Sequence, residues 1–525
     1  MQRQSGAVLW SGLEAASGGL LSFASAFLIA RLVGPAELGI GAAVTAPQVL
    51  LCVAVNALFA DAIAQRAALD RDAASSAFWA SVLVGCLAAL LQASLGPLLG
   101  GALGDARLPA MAAVLALPLP LIGAGGAAQG MLTRERRYRD LAGRTIIGQG
   151  SGVAVGVALA LAGAGAWAVV AQQAATTFVG AAALLLRAGW RPRPVLRLAP
   201  VRQLLAIGLP LVGSTLVQHG RYRLFALAIG DMAGAATLGQ VHLAFRLVDT
   251  VRDLTATALW RLMLPSFAQR QHDQGALCGA LDRALRLSGL VMFPLWGAMA
   301  LTARPLVALL LGPVWAESAD ATLPLIALAA WASLGFPAGV AAVARGATGY
   351  TLAANLAATA LTLGGAAVLH PATPLAAALI WVGAQLACAP YTVSVGARVL
   401  RLPVLRPLRA GLRPLALACV ATAAAFLAPG TLALWSLGPL ALGGLMASRI
   451  GVLTALYLAG AAWLLRDDLR NATAMVGLTA LARRARLRAL SRGAGEGLAG
   501  GCWRRPRATS NQVESTDRIK LPASQ

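Results

Sequence analysis

The chain has 525 residues, of which 58% are hydrophobic and only 12% charged, and its mean hydropathy is +0.72. Soluble domains carry about twice that charged fraction, which excludes an ordinary soluble enzyme or binding module. The net charge of +23 would suggest nucleic acid in a soluble chain; here the basic residues sit in short loops between apolar runs and in the tail, which excludes that partner.

The composition and the run lengths predict an all-α polytopic membrane protein with about fourteen spans of bilayer length. In chain order they cover approximately 6–30, 38–60, 77–99, 110–132, 145–162, 167–186, 204–229, 236–260, 287–311, 321–343, 350–369, 375–395, 412–427 and 441–465. The first run lacks a small-residue cleavage site and reads as a helix rather than a signal peptide. The connections 134–144, 187–202, 269–286 and 398–413 are rich in Arg, whereas 163–166, 230–235, 312–320 and 370–374 are almost free of it. The positive-inside rule then places the first set, and both termini, in the cytoplasm. Six cysteines (Cys52, Cys86, Cys278, Cys388, Cys419 and Cys502) have no CxxC spacing and imply neither a metal site nor a disulfide framework.

An internal repeat is visible. GPAELG (34–39) joins the first two spans and GAATLG (234–239) joins the seventh and eighth; GPLLGGALG (96–104) and RPLVALLLG (304–312) follow the third and ninth. Six spans per repeat give two halves of the same orientation. The expected organisation is an N-terminal six-helix lobe (1–200), a second six-helix lobe (201–400), two additional helices (401–467) and a basic tail (468–525). Within the tail, 469–490 suits a helix lying on the inner leaflet, and the rest is expected to be disordered.

Ionisable residues crowd into the seventh and eighth spans. His219, Arg221 and Arg223 lie inside the seventh, and His242, Arg246, Asp249 and Asp253 recur every three or four residues along the eighth, on one helix face. A charge at mid-bilayer costs at least roughly 2.5–3.5 kcal/mol, so this face looks into the bundle or a water-filled cavity. With a hairpin tip at 231–236, Arg221, Arg223 and Arg246 come to similar depth as a cationic wall. The alternative is that Arg246 with Asp249, or Arg252 with Asp253, staple the helices together. His219 and His242 suit a proton relay or hydrogen bonds inside the bundle. Glu14 in the first span and Asp61, with Asn56, in the second are candidates for ion coupling, by proton or sodium; no cofactor is expected. Asp70 and Asp72 form an acid-x-acid pair, but in a short polar loop with no soluble domain to build a metal-dependent transferase site. The glycines of 148–156 permit close helix approach, and no strand precedes them as a nucleotide loop would require.

The segments ARLVGPAELGIGAAV (30–44), RDAASSAFWASVLVG (71–85), MLTRERRYRDLAGR (131–144), GAGAWAVVAQQ (163–173), IGLPLVGSTLV (207–217), LGQVHLAFRLVDTVRDLTATALWRLMLPSFA (238–268) and PLVALLLGPVW (305–315) together resemble the bacterial polysaccharide exporters and O-antigen-type flippases. These belong to the multidrug/oligosaccharidyl-lipid/polysaccharide exporter superfamily, and the resemblance covers roughly 11–401. It implies two pseudo-symmetric lobes around a central cavity, and export of an undecaprenyl-diphosphate-linked oligosaccharide across the bacterial inner membrane. Membrane lipids and a polysaccharide polymerase with its export machinery are the implied partners. No shared catalytic residue comes with the resemblance, and the seventh span departs from many relatives in carrying His219, Arg221 and Arg223 where they have an acid. Arginine suits a diphosphate because its fork pairs with two oxygens and stays charged. Two other classes share the architecture: a multidrug or small-cation exporter, which wants an apolar or acidic cavity, and a polymerase or ligase, which wants a substantial external loop.

Overall fold

A computed structural model describes residues 2–66, 70–347, 349–403, 406–427 and 438–464, with backbone alone over 2–20. The helices are α1 (Gln2–Gln65), α2 (Arg71–Leu103), α3 (Leu108–Ala116), α4 (Leu119–Arg134), α5 (Tyr138–Leu161), α6 (Ala166–Ala188), α7 (Leu198–Ala268), α8 (Gln274–Leu310), α9 (Ala316–Ala344), α10 (Gly349–Leu369), α11 (Pro374–Leu400), α12 (Arg406–Phe426) and α13 (Pro439–Leu464). Their ends follow the residues: Asp273 and Thr373 cap the starts of α8 and α11 by accepting from the amides of Ala276 and Ala376, and Gly104 and Gly189 end α2 and α6 in the left-handed conformation.

Unbroken, the 64 residues of α1 would extend about 96 Å, three times a bilayer's apolar thickness. The helix folds back instead. Gly34 is non-helical at φ 78° and ψ 171°, and the neighbouring α6 residues Gln172 and Gln173 hydrogen-bond to Ser25 (2.9 Å) and Gln48 (3.1 Å), one on each limb. In α7, Gly234 adopts φ 82° and ψ 170°, and Tyr222 on one limb meets His242 on the other at 2.9 Å. Twenty residues of straight helix would hold those two about 30 Å apart. A positive φ with ψ near 170° is a region essentially reserved for glycine.

The two corners press on each other reciprocally. A Cβ at Gly39 would strike the carbonyl of Ala235, and one at Gly239 would strike the carbonyl of Pro35. The same positions of each repeat exchange the same contact, as at an isologous two-fold interface. Around them, Phe27, Ala30 and Leu38 pack with Leu243, Leu247, Val307 and Trp315, and Arg31 donates to the Leu310 carbonyl at 3.1 Å. Each corner also caps a helix: Glu37 accepts from the Ala166 amide at 2.5 Å and from Arg107 at 2.9 Å, and Gln240 accepts from the Ser318 amide at 3.0 Å. Three of the four Arg-poor connections therefore meet at one end. In the loop there, hydrogen bonds from Arg107 hold the Asp105 carboxyl below the usual carboxylate range.

The second repeat match is not the same turn. Gly104 is a left-handed helix cap (φ 67°, ψ 24°), whereas Gly312 takes the glycine-only conformation of Gly34 (φ 89°, ψ −177°) and, like it, precedes a proline.

Twelve helices among the described residues are long and apolar enough to cross a membrane, against the fourteen expected. The difference lies in α1, whose two limbs form one apolar stretch Phe23–Ala64, and in α12, whose apolar part Gly411–Phe426 is short. Outward faces carry large apolar side chains, such as Leu90 at 69% exposure and Leu186 at 85%, which suits contact with lipid. Lipid supplies no hydrophobic drive for helix pairing, so close approach does the work. Cβ atoms at Gly148, Gly152 and Gly156 of α5 would clash with Thr176 and Gln172 of α6.

The segment between α6 and α7 is fastened to the start of α2. The Arg193 and Arg197 amides donate to Ser75 (3.1 Å) and Ser76 (2.9 Å), and Trp79 donates to the Arg193 carbonyl (2.9 Å). Asp72 takes the Arg193 and Arg197 guanidiniums at 3.3 and 2.9 Å, so this carboxylate anchors the segment. No His, Cys, Asp and Glu group fit for a metal ion occurs among the described residues. The described cysteines are free; Cys502 and the 468–525 tail lie outside the described residues.

Gly39→Val and Gly239→Val should each force the corners apart and lower the melting temperature in detergent by several degrees, whereas Gly335→Val, whose Cβ meets open space, should not. Equal melting of all three variants would refute the contact.

Candidate functional site

The fold of α7 brings the ionisable residues to one level. Tyr222 faces His242 and lies 4.7 Å, ring to ring, from Phe245, so 221–223 on one limb stand opposite 242–246 on the other. Trp381 of α11 completes this layer, with its ring 5.5 Å from Phe225 and 5.0 Å from Phe245. Over the same ring, at 4.8 Å, lies the guanidinium of Arg221. A cation on an indole face gains up to about 2 kcal/mol where water is excluded.

Beyond Trp381 opens a cavity of about 590 Å³ between α7, α9, α10 and α11, a ligand-sized space. Arg221, Asp249, Arg252, Trp331, Asn355, Trp381 and Gln385 supply its charged, aromatic and amide groups, and the rest of the wall is largely apolar. Arg252 is satisfied from within its helix, by Asp249 at 2.8 Å and Asp253 at 3.2 Å. Arg221 is not: its Nε is buried and has no hydrogen-bond partner. Among the described lining residues Arg221 is thus a cation without an ion-pair partner, laid on an aromatic face.

Of the seven residues expected here, Arg221 and Asp249 line this cavity, and His219, Arg223, His242, Arg246 and Asp253 lie outside its lining. The α7 face that meets the cavity is Phe245, Val248, Asp249 and Arg252, one helical stripe over from the expected 242, 246, 249 and 253. His242 turns to Tyr222, the Arg223 guanidinium stands 5.9 Å from the Tyr222 ring, and His219 is exposed. Asp249 pairs with Arg252 on its own helix rather than with Arg246, and Arg252 pairs with Asp253 as expected, so these ion pairs lie within one limb of α7 and do not staple helices together. Asp61 is exposed near the end of α1; the Glu14 side chain lies outside the described residues.

Asn355, Trp381 and Gln385 went unremarked in the sequence, although single amides inside apolar spans were a usable signal. So did Arg449 of α13, which is 1% exposed, lies 5.4 Å from the Phe426 ring and donates to the Leu301 carbonyl at 3.4 Å.

A family model described as "Polysaccharide biosynthesis protein" matches residues 28–320. The chain belongs to that family. It is 25% identical over 302 residues to the succinoglycan biosynthesis transport protein ExoT of Rhizobium meliloti (strain 1021); the match covers 57% of this chain and 61% of that protein. Among solved structures it resembles the lipid II flippase MurJ in an inward closed conformation, with TM-score 0.71 and 12% identity over 88% of this chain and all of that one. It also resembles an inward-facing multidrug resistance MATE family transporter of the MOP superfamily, with TM-score 0.57 and 16% identity over 73% of this chain and 94% of that one. At these identities the two structures establish the fold alone. Family membership thus places the chain in polysaccharide biosynthesis, with the multi-helix membrane fold of those two structures.

Since the Arg221 Nε forms no hydrogen bond, Arg221→Met should leave the melting temperature in detergent unchanged or raise it, because an unpaired buried polar group costs about 1–3 kcal/mol. A fall of more than a few degrees would mean that Arg221 is a structural staple.

Proposed function

We propose that the chain is a flippase that carries an undecaprenyl-diphosphate-linked oligosaccharide, a polysaccharide repeat unit, across the bacterial inner membrane by alternating access. The observation that carries this reading is Arg221, a guanidinium with a buried, unpartnered Nε at the wall of a cavity of about 590 Å³. A diphosphate leaving water needs such a group to replace its lost hydration, and the apolar remainder of the wall suits the lipid to which it is joined. Arg223 and Arg246, at the same level on the flank beside the cavity, extend the cationic surface to the space that opens when the halves part. His219, His242 and Asp253 border that path. The name of the related ExoT, a transport protein of succinoglycan biosynthesis, agrees with this class of cargo.

In this reading the chain crosses the membrane fourteen times, twice in each corner helix, in halves 1–200 and 201–400 with two further helices in 401–467. The halves rock about the contact between the corners. The Arg-rich connections and both termini face the cytoplasm and the corners face outward. Glu14 and Asp61 are the candidates for coupling to a proton or sodium gradient, and polymerase and export proteins receive the product. A cationic drug is a poorer cargo, because it would meet Arg221 and Arg252 while the lining acid Asp249 is already paired with Arg252.

Arg221→Ala should reduce polysaccharide export about tenfold to a hundredfold, the worth of a charge-assisted hydrogen bond, with lipid-linked repeat units accumulating on the cytoplasmic leaflet. Arg221→Lys should restore it in part, since an ammonium keeps the charge without the fork. Normal export by the Arg221→Ala, Arg246→Ala double variant would overturn the reading. For orientation, a cysteine at Arg137 should resist a membrane-impermeant maleimide applied to intact cells and react after lysis; labelling in intact cells would refute the topology.

A further inference from the structure

A second cavity, of about 290 Å³, lies within the first series of helices, between the second limb of α1 and helices α4, α5 and α6. It is the counterpart in α1–α6 of the larger cavity in α7–α11: each is bounded by three helices of its own series and by the corner helix, through the second limb of α1 here and through both limbs of α7 there. Its chemistry differs. Asn56, Arg144, Thr145, Gln149, Thr176 and Thr177 face it, and its described lining residues include no carboxylate and no aromatic ring.

The hydrogen-bonding capacity of this wall is mixed. Thr176 and Thr177 spend their hydroxyl protons on the carbonyls of Gln172 and Gln173, both at 2.8 Å, which leaves their oxygen lone pairs as acceptors. Asn56 donates to Gln129 at 3.1 Å and keeps its own carbonyl oxygen as a second acceptor. Gln149 makes no side-chain hydrogen bond, so its amide offers two donors and an acceptor. With Arg144 in it and no carboxylate among its described residues, this wall does not suit a cation. Neutral donors and acceptors side by side suit a ligand that has both on each group, and the hydroxyls of a sugar are such groups. The volume, at the lower end of ligand pockets, admits a sugar ring and not a polyprenyl chain.

We propose that this cavity is a sugar subsite, which takes one hydroxyl-rich, neutral or acidic sugar ring of the cargo while Arg221 holds the diphosphate in the other. This rests on the export reading above and divides recognition of the cargo between the two series: the diphosphate in the second, the hydroxyl pattern in the first, where Arg144 also suits an acidic sugar. The order of events follows. A lipid diphosphate without sugar fills only the second cavity and cannot tie the series together; a glycosylated one engages both.

The test compares two probes on the purified full chain in nanodiscs, by native mass spectrometry or a thermal-shift titration: undecaprenyl diphosphate, and the same lipid bearing a short oligosaccharide of the host's repeat unit. Gln149→Leu and Thr177→Val should weaken the glycosylated lipid about fivefold to tenfold, the worth of a lost neutral hydrogen bond, and leave undecaprenyl diphosphate within twofold. Arg221→Ala should weaken both. Gln149 holds no other side chain, so its loss does not undo the fold. If the wild-type chain binds both lipids and neither first-series variant changes their ratio, the sugar subsite is wrong and the export reading stands. Binding of neither lipid by the wild-type chain would overturn the export reading itself, and this inference with it.

Discussion

Two peptide carbonyls crossing two glycines hold this bundle together. In lipid, apolar side chains gain nothing by leaving the solvent, so helices associate through close backbone approach and through polar groups that find no partner elsewhere. The Gly39 to Ala235 and Gly239 to Pro35 contacts are of the first kind, and Glu37 and Gln240 beside them, capping α6 and α9, are of the second. A larger side chain at either glycine would wedge the two corners apart. The apolar cluster around it, from Phe27 to Trp315, spans both series and keeps them in register at that end.

Away from the corners, Arg221 of the second series keeps a buried nitrogen without a hydrogen-bond partner. Arg252 has drawn both nearby acids to itself, and Trp381 is packed on three sides by Tyr222, Phe225 and Phe245. Those arrangements fix the ring and remove the counter-ions, and Arg221 is left over a rigid aromatic face with a donor unspent. Pre-organisation of this kind lowers what a ligand must give up on binding.

The fold was largely legible in the sequence because membrane helices announce themselves by length and loop charge. Each apolar run of the sequence falls in a helix, and the corner predicted between Asp231 and Ala236 breaks at Gly234. The resemblance of GPAELG to GAATLG was backbone chemistry, and so it survived in three dimensions. That of GPLLGGALG to RPLVALLLG was composition, and Gly104 and Gly312 take different conformations. The site was legible only to within one helical stripe. Periodicity gives the spacing of a charged face but not its azimuth, since neighbouring stripes on a helix differ by one residue. Thus Asp249 belongs to both stripes, Arg252 was taken for a staple when it is also a lining residue, and Trp381, more than a hundred residues away, could be joined to Arg221 only by the fold.

The strap from Trp190 to Arg197 has a bearing on how such a chain could arise. It is held by Ser75, Ser76, Trp79 and Asp72, all in α2, and therefore belongs to the surface of the first series rather than spanning a gap to the second. Covalent continuity past Leu198 adds little to an association already made by the corners. A chain severed just before α7 would retain every contact described between its parts, and the two fragments, expressed side by side, have what they need to find one another.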